Sequence, residues 1–400
     1  MKNIKEYGAH GDGRRDDFFA VTEALEKEKE VFFPKGTYIV SDTVRVPSDR
    51  RLIFEKGAAL KLKATTPRKR GDFLLTNKNH ETGDKNIVIE GAVFDGNNKY
   101  RKHKRPKTIF QKDGYSGILI NFYNVENLTL KDITLKDPVS YFTRFCKING
   151  FLLENIRFIG KRVKLNQDGI HFAGEVKNGK VKNVRAESYG QTGDDLLALN
   201  ADDYLGRIEE FDTVCGTIEN IVFEDVFAEC CHDAVRLLSY RSAIKNITFK
   251  NLNVGFRNLA VDNNAARGCR AELFKEEDEP RGVGDLTSVT FTDCTFRYVA
   301  DAAAIQRPGF HPMIRWGSVG DDINFLSCRF FVSPRPIKGI KKLCFLFKNK
   351  TDAKCDIPAF YMKNVTDQEV VFDGKTAKAV KKEDVVSVPD FCDLSINIIK

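Results

Sequence analysis

Three short segments carry residues whose types and spacing could do acid–base chemistry. They read NQDGIHFAG from Asn166, GDDLLALN from Gly193 and CHDAVRLLS from Cys231. Aligning their apolar alternation sets Asp168 beside Asp195 and Asp233, Asp194 level with His232, and His171 level with Ala198 and Arg236. Neighbouring strands lie about 4.8 Å apart, so Asp168, Asp194 and Asp195 should converge on one patch. Carboxylates that close cannot all ionise easily, and at least one pKa should rise. A protonated carboxyl beside an ionised one is what cleavage of a glycosidic bond requires. An isolated Asp-Gly would read as a turn, but three acids, two His and one Arg in one column favour chemistry. Clustered acids could also hold calcium through oxygen ligands. The adjacent thiols Cys230 and Cys231, with only His232 nearby, make a poor metal site, and no metal or cofactor is expected.

Such a column needs a scaffold that stacks strand upon strand. A nine-residue phrase supplies it: NIVIEGAVF from Asn86, NLTLKDITL from Asn127, GFLLENIRF from Gly150 and NGKVKNVRA from Asn178. It continues as NIVFEDVFA from Asn220, NITFKNLNV from Asn246, SVTFTDCTF from Ser288 and DINFLSCRF from Asp322. Alternating Val, Ile, Phe and Thr call for strands. The mid-phrase polar pairs Lys131-Asp132, Glu154-Asn155 and Glu224-Asp225 predict a turn between two short strands. Short strands recurring without intervening helices predict an all-β, single-stranded parallel β-helix, in which stacked coils bury one continuous core. The leucine-rich-repeat signature, the competitor at this period, is absent. The seventh phrase position holds Ala92, Ile133, Ile156, Val184, Val226, Leu252, Cys294 and Cys328, so the last two cysteines should point inward as small hydrophobes. Phe18, Val21, Ala24 and Leu25 predict a short N-terminal helix capping the first coil. Residues 1–333 read as the β-helix domain, and residues 334–400 as terminal coils or a β appendage of it.

The segment from Asn166 to Ser239 resembles the polygalacturonase family of glycoside hydrolases, which are right-handed parallel β-helices. NQD, GDD and CHD match in order that family's Asn-x-Asp, Gly-Asp-Asp and Gly-His-Gly-like motifs, with Asp233 where the family has its second Gly. The stretches GILINFYNVENLTLKDITLKDPVSYF, YGAHGDGRRDDFFAVTEAL and FFPKGTYIV resemble the coil before the site and the opening of the wider pectate-lyase-like superfamily. The resemblance implies an inverting hydrolase with Asp194 as general acid, Asp168 and Asp195 activating water, and His232 tuning their protons. Asn166, His171, Arg236 and Asp233 are the expected substrate-binding residues. The family's Arg-Ile-Lys motif is missing from the next coil, where RNLAVDNN stands at residues 257–264, so the resemblance supports glycan hydrolysis better than galacturonan as substrate.

Composition narrows the alternatives. The 400 residues, 42% hydrophobic and 30% charged, suit a folded chain with a large, Phe-rich core. No run reaches the ~18 apolar residues of a membrane span. The first nineteen residues show no apolar stretch resembling a signal peptide, and the cysteines lack CxxC spacing, so a reducing cytoplasm is expected. Six of the eight net positive charges fall in KYRKHKRPK at residues 99–107, a solvated loop or a basic lip to a cleft. An acidic run at residues 276–279 mirrors it. No nucleic-acid motif accompanies the basic run, so the expected partner is an oligo- or polysaccharide, with neither nucleic acid nor membrane involved and the oligomeric state open. Two other functions fit the scaffold: a uronate lyase or epimerase, and a non-catalytic glycan-binding β-helix.

Overall fold

The computed structural model describes residues 1–64, 73–100, 117–164, 166–203, 212–263 and 284–299, followed by a series of strands ending at Ile399. The connections at 101–116, 204–211 and 264–283 lie outside the described residues, as do most of the basic run and all of the acidic one.

Pairing from coil to coil is parallel and in register on three faces. On the first, Phe145 pairs with Phe172, and Ile170, Leu197, Val235 and Val261 follow one another. The second runs Ile89, Leu130, Leu153, Val181, Phe223, Phe249, Phe291 and Phe325. The third runs Phe94, Leu135, Phe158, Ala186, Ala228, Val254 and Phe296. These residues are buried, so the core is one column enclosed by three faces of a continuous sheet: a parallel β-helix. The stack continues beyond residue 334, where Ile323 pairs with Phe360 and Cys355 with Cys392.

The corners are made by single residues rather than by turns between separate strands. Strands such as Ile118–Lys136 and Ile218–Cys231 run through the polar pairs unbroken. They bend because Asp132, Asn155 and Asp225 adopt φ of 56°, 56° and 58°. A left-handed residue redirects the chain without interrupting its pairing, and Asn and Asp tolerate that conformation better than other side-chain-bearing residues. Every phrase also begins on such a residue: Asn86, Asn127, Gly150, Asn178, Asn220, Asn246, Ser288 and Asp322 all have positive φ. Their side chains are bonded from coil to coil, Asn220 Nδ2 donating to Asn178 Oδ1 at 3.1 Å and Asn246 Nδ2 to Asn220 Oδ1 at 3.0 Å.

The seventh-position column, Cys294 and Cys328 included, is buried throughout. The fourth position carries a phenylalanine stack, with centroids of Phe223, Phe249, Phe291 and Phe325 spaced 4.8, 4.6 and 4.7 Å. The helix Phe18–Lys27 turns Val21, Ala24 and Leu25 into the core. Asp17 precedes it without capping it: its carboxylate accepts from the backbone of His10 and Gly11 at 2.6 and 3.0 Å instead.

Phe291→Ala should destabilise the protein by about 3–5 kcal/mol because Phe291 is stacked from both sides. Val222→Ala, on an exposed outward position, should stay within about 0.5 kcal/mol. Urea unfolding of the two variants checks the ordering.

Candidate active site

Backbone pairing builds the site before any side chain acts. The N–H groups of Phe142, Gly169 and Leu196 donate to the carbonyls of Asp168, Asp195 and Asp233, each at 2.8 Å, and Ala234 donates to Leu259 at 3.0 Å. Asp168, Asp195 and Asp233 are thereby stacked on successive coils, in the alignment read from sequence. His171 pairs with Ala198 and Ala198 with Arg236, as that alignment expects. Glycines permit the approach. A Cβ on Gly169 would collide with the Leu196 carbonyl, and one on Gly193 with that of Lys164.

Asp194, Asp195 and His232 form the centre. One potential ligand atom from each lies within 4.8 Å of the others. Asp194 is 26% exposed and His232 32%, whereas Asp195 is buried. His232 Nδ1 lies 3.4 Å from Asp194 Oδ1 and 3.6 Å from Asp233 Oδ2. Asn166, left-handed at φ 57°, donates Nδ2 to Asp194 Oδ2 at 3.4 Å. Arg236 Nη1 stands 3.7 Å from Asp195 Oδ2, while Asp195 Oδ1 is buried with no hydrogen-bond partner among the described residues.

These surroundings divide the protons. Burial and the neighbouring Asp194 push the Asp195 carboxyl well above its ordinary range, against the pull of Arg236. Burial would lower His232, but Asp194 and Asp233 outweigh it and its pKa rises. Burial lifts Asp233 to about 6, opposed by His232 and assisted by Asp262. Burial likewise pushes both the Cys230 and Cys231 thiols up. Cys231 Sγ faces the carbonyls of Asp233 and Gly255 at 3.4 and 3.3 Å, which gives it a structural place. Two carboxylates and an imidazole suit a transition-metal ion better than calcium, which takes oxygen ligands. The Arg236 cation opposes a dication there.

Two residues expected to touch substrate lie beneath the surface instead. His171 is buried, with Nδ1 2.7 Å from Asp168 Oδ2 and Nε2 2.8 Å from Asp203 Oδ2. Both ring nitrogens are engaged by carboxylates, so no ring atom remains to meet a sugar. Asp233 is also buried and accepts the Leu259 N–H on Oδ1 at 2.7 Å; it ties one coil to the next. Arg257, on the coil where Arg-Ile-Lys is missing, directs its guanidinium to the carbonyls of Cys231, Gly190 and Thr192 at 3.3, 3.3 and 3.4 Å. It braces the turn ahead of Asp194.

Several polar residues around the site escaped the sequence reading. Asn121 pairs with Arg144 and accepts its Nε at 2.9 Å, extending the polar column of His171 towards earlier coils. Asn121 also donates to Asp212, which His80 contacts at 2.9 Å. Asp202 Oδ2 accepts the N–H groups of Tyr240, Arg241 and Ser242, each at 2.7 Å. Polar residues at alternate places in otherwise apolar strands, Asn121 in ILINF and Arg144 in TRF, were the available signal for the first two.

Comparison with known proteins fits this architecture. Residues 1–137 match the family described as rhamnogalacturonase A/epimerase, pectate lyase-like; the matched stretch ends before Asp168. The chain is 37% identical over 99 residues to a preneck appendage protein of Bacillus phage PZA, covering 24% of this chain and 11% of that protein. It is 29% identical over 184 residues to plasmin and fibronectin-binding protein A of Streptococcus pneumoniae, covering 42% and 25%. The chain thus spans a small part of the length of these relatives. An iota-carrageenase solved with iota-carrageenan fragments superposes with a TM-score of 0.59 at 12% identity, over 88% of this chain and 92% of that one. The superposition shows a shared parallel β-helix fold.

Asp233 sets a pH dependence of stability. Its pKa is higher folded (about 6) than the 3.8 it starts from, so the folded state binds the proton more tightly. That stabilisation is complete below about pH 3.8 and is lost as pH rises through about 6. Asp233→Asn keeps an acceptor for Leu259 and removes the charge. It should melt higher than the wild type above pH 6 and show a flatter melting temperature between pH 4 and 6.

Proposed function

We propose that the chain is a glycoside hydrolase that cleaves an oligo- or polysaccharide with inversion, using Asp168, Asp194 and Asp195. One observation carries the reading: adjacent carboxyls stand in opposed environments. Asp195 is buried and driven towards its protonated form by burial and by Asp194, while Asp194 reaches the surface beside His232. The pair can share one proton, with Asp194 presenting it to the departing glycosidic oxygen and Asp195 holding it in reserve. Asp168, against the His171 ring, is suited to take a proton from water. Arg257, committed to backbone carbonyls, gives no support for a uronate carboxylate as the required group.

A second reading, a non-catalytic binding β-helix, is favoured by the two sequence relatives, an appendage protein and a binding protein by name.

A glycan panel followed by proton NMR separates the readings. Hydrolysis with inversion should release a single anomer of opposite configuration, without the absorbance near about 235 nm of an unsaturated uronate that proton abstraction leaves. Asp194→Asn should lower kcat by about 10²–10⁴-fold. Wild-type turnover by that variant would remove Asp194 as the acid, and retention of a glycan by both proteins with no released sugar would support the binding role.

A further inference from the structure

His171 is held between two carboxylates, one on its own turn and one beyond the strand Leu197–Asn200 of the next coil. A neutral imidazole has one N–H and one bare nitrogen, and an ionised carboxylate can only accept. Contacts of 2.7 and 2.8 Å from both nitrogens therefore need two protons. With both acids ionised, the ring must be an imidazolium.

We propose that Asp203 is a positioning residue that holds His171 as an imidazolium and so keeps Asp168 oriented at neutral pH. The proposal deepens the hydrolase reading, since Asp168 is there the base. Asp203 is itself fixed, accepting Asn200 Nδ2 on Oδ1 at 2.9 Å. With Oδ2 of Asp203 and Oδ2 of Asp168 both turned to the ring, the three buried groups carry one net negative charge instead of two.

The other groups facing the ring work against this or leave it unchanged. The Tyr141 ring packs 4.8 Å away by centroid. Arg144, one residue before the Phe145–Phe172 pair, is its register neighbour on the preceding coil. Ala198 lies on the following coil, with Arg236 one coil further. Both arginines disfavour a charged ring, and Asp195, driven towards its neutral form, leaves it unchanged. Burial lowers the affinity of His171 for its proton, and the hydrogen bonds of Asp168 and Asp203 more than reverse that, taking the pKa to about 9.

The test begins on the wild-type protein. In ¹⁵N-histidine NMR both ring nitrogens of His171 should be protonated at pH 7, with a midpoint near 9; a neutral ring at pH 7 overturns the proposal whether or not any glycan is cleaved. Asp203→Asn keeps an acceptor and removes the charge. It should lower the His171 midpoint by about one unit or more and bring the alkaline fall of kcat, where the ring gives up its proton, down by about one pH unit, a roughly tenfold loss well above that midpoint. Asp203→Glu should restore part of both. A folded Asp203→Asn with an unmoved His171 midpoint overturns the proposal. A shifted midpoint in a protein that hydrolyses nothing on the panel would support the relay while removing the hydrolase reading.

Discussion

In-register backbone pairing between successive coils is the constraint on which the molecule depends. Each rung is about 4.8 Å from the next, and one coil alone cannot bury its apolar side chains. Pairing therefore creates the core and the site together. The same hydrogen bonds that align Phe223, Phe249 and Phe291 on one face align Asp168, Asp195 and Asp233 at the edge of another. The scaffold can hold acids this close because folding of the whole stack offsets their repulsion.

The corners protect that register. Residues of positive φ recur at the start and sixth position of the phrase, and a slip of one residue would place a β-branched side chain in a left-handed conformation and turn inward residues outward. Side-chain bonds between stacked Asn residues reinforce the same alignment. In the site, the local conflict is one of charge rather than of packing, and it is relieved by protons and cations: a raised Asp195, a doubly bonded His171, and Arg236 beside Asp195.

The sequence made the fold legible because the phrase repeats. Its alternation predicted the inward column that contains Cys294 and Cys328, and aligning three short segments predicted which acids share a level. It misread the polar pairs as turns between strands, since a left-handed Asn and a two-residue turn have the same composition. It also assigned His171 and Asp233 to substrate, because polar residues beside a catalytic-looking cluster look alike whether they face outward or inward.

The primary sequence by itself determined the repeat, the strand alternation and the chain positions of Asp168, Asp194, Asp195 and His232, because those follow from local periodicity and residue type. Only the tertiary structure decided which carboxyl is buried, that His171 lies between Asp168 and Asp203, and that Arg257 binds backbone carbonyls. Asp203 is thirty-two residues from His171 and Arg257 sixty-seven from Gly190. Neither distance is set by the period of the repeat. Both depend on how the connections fold back over the stack, and the protonation of each acid depends on the burial and neighbouring charge that result.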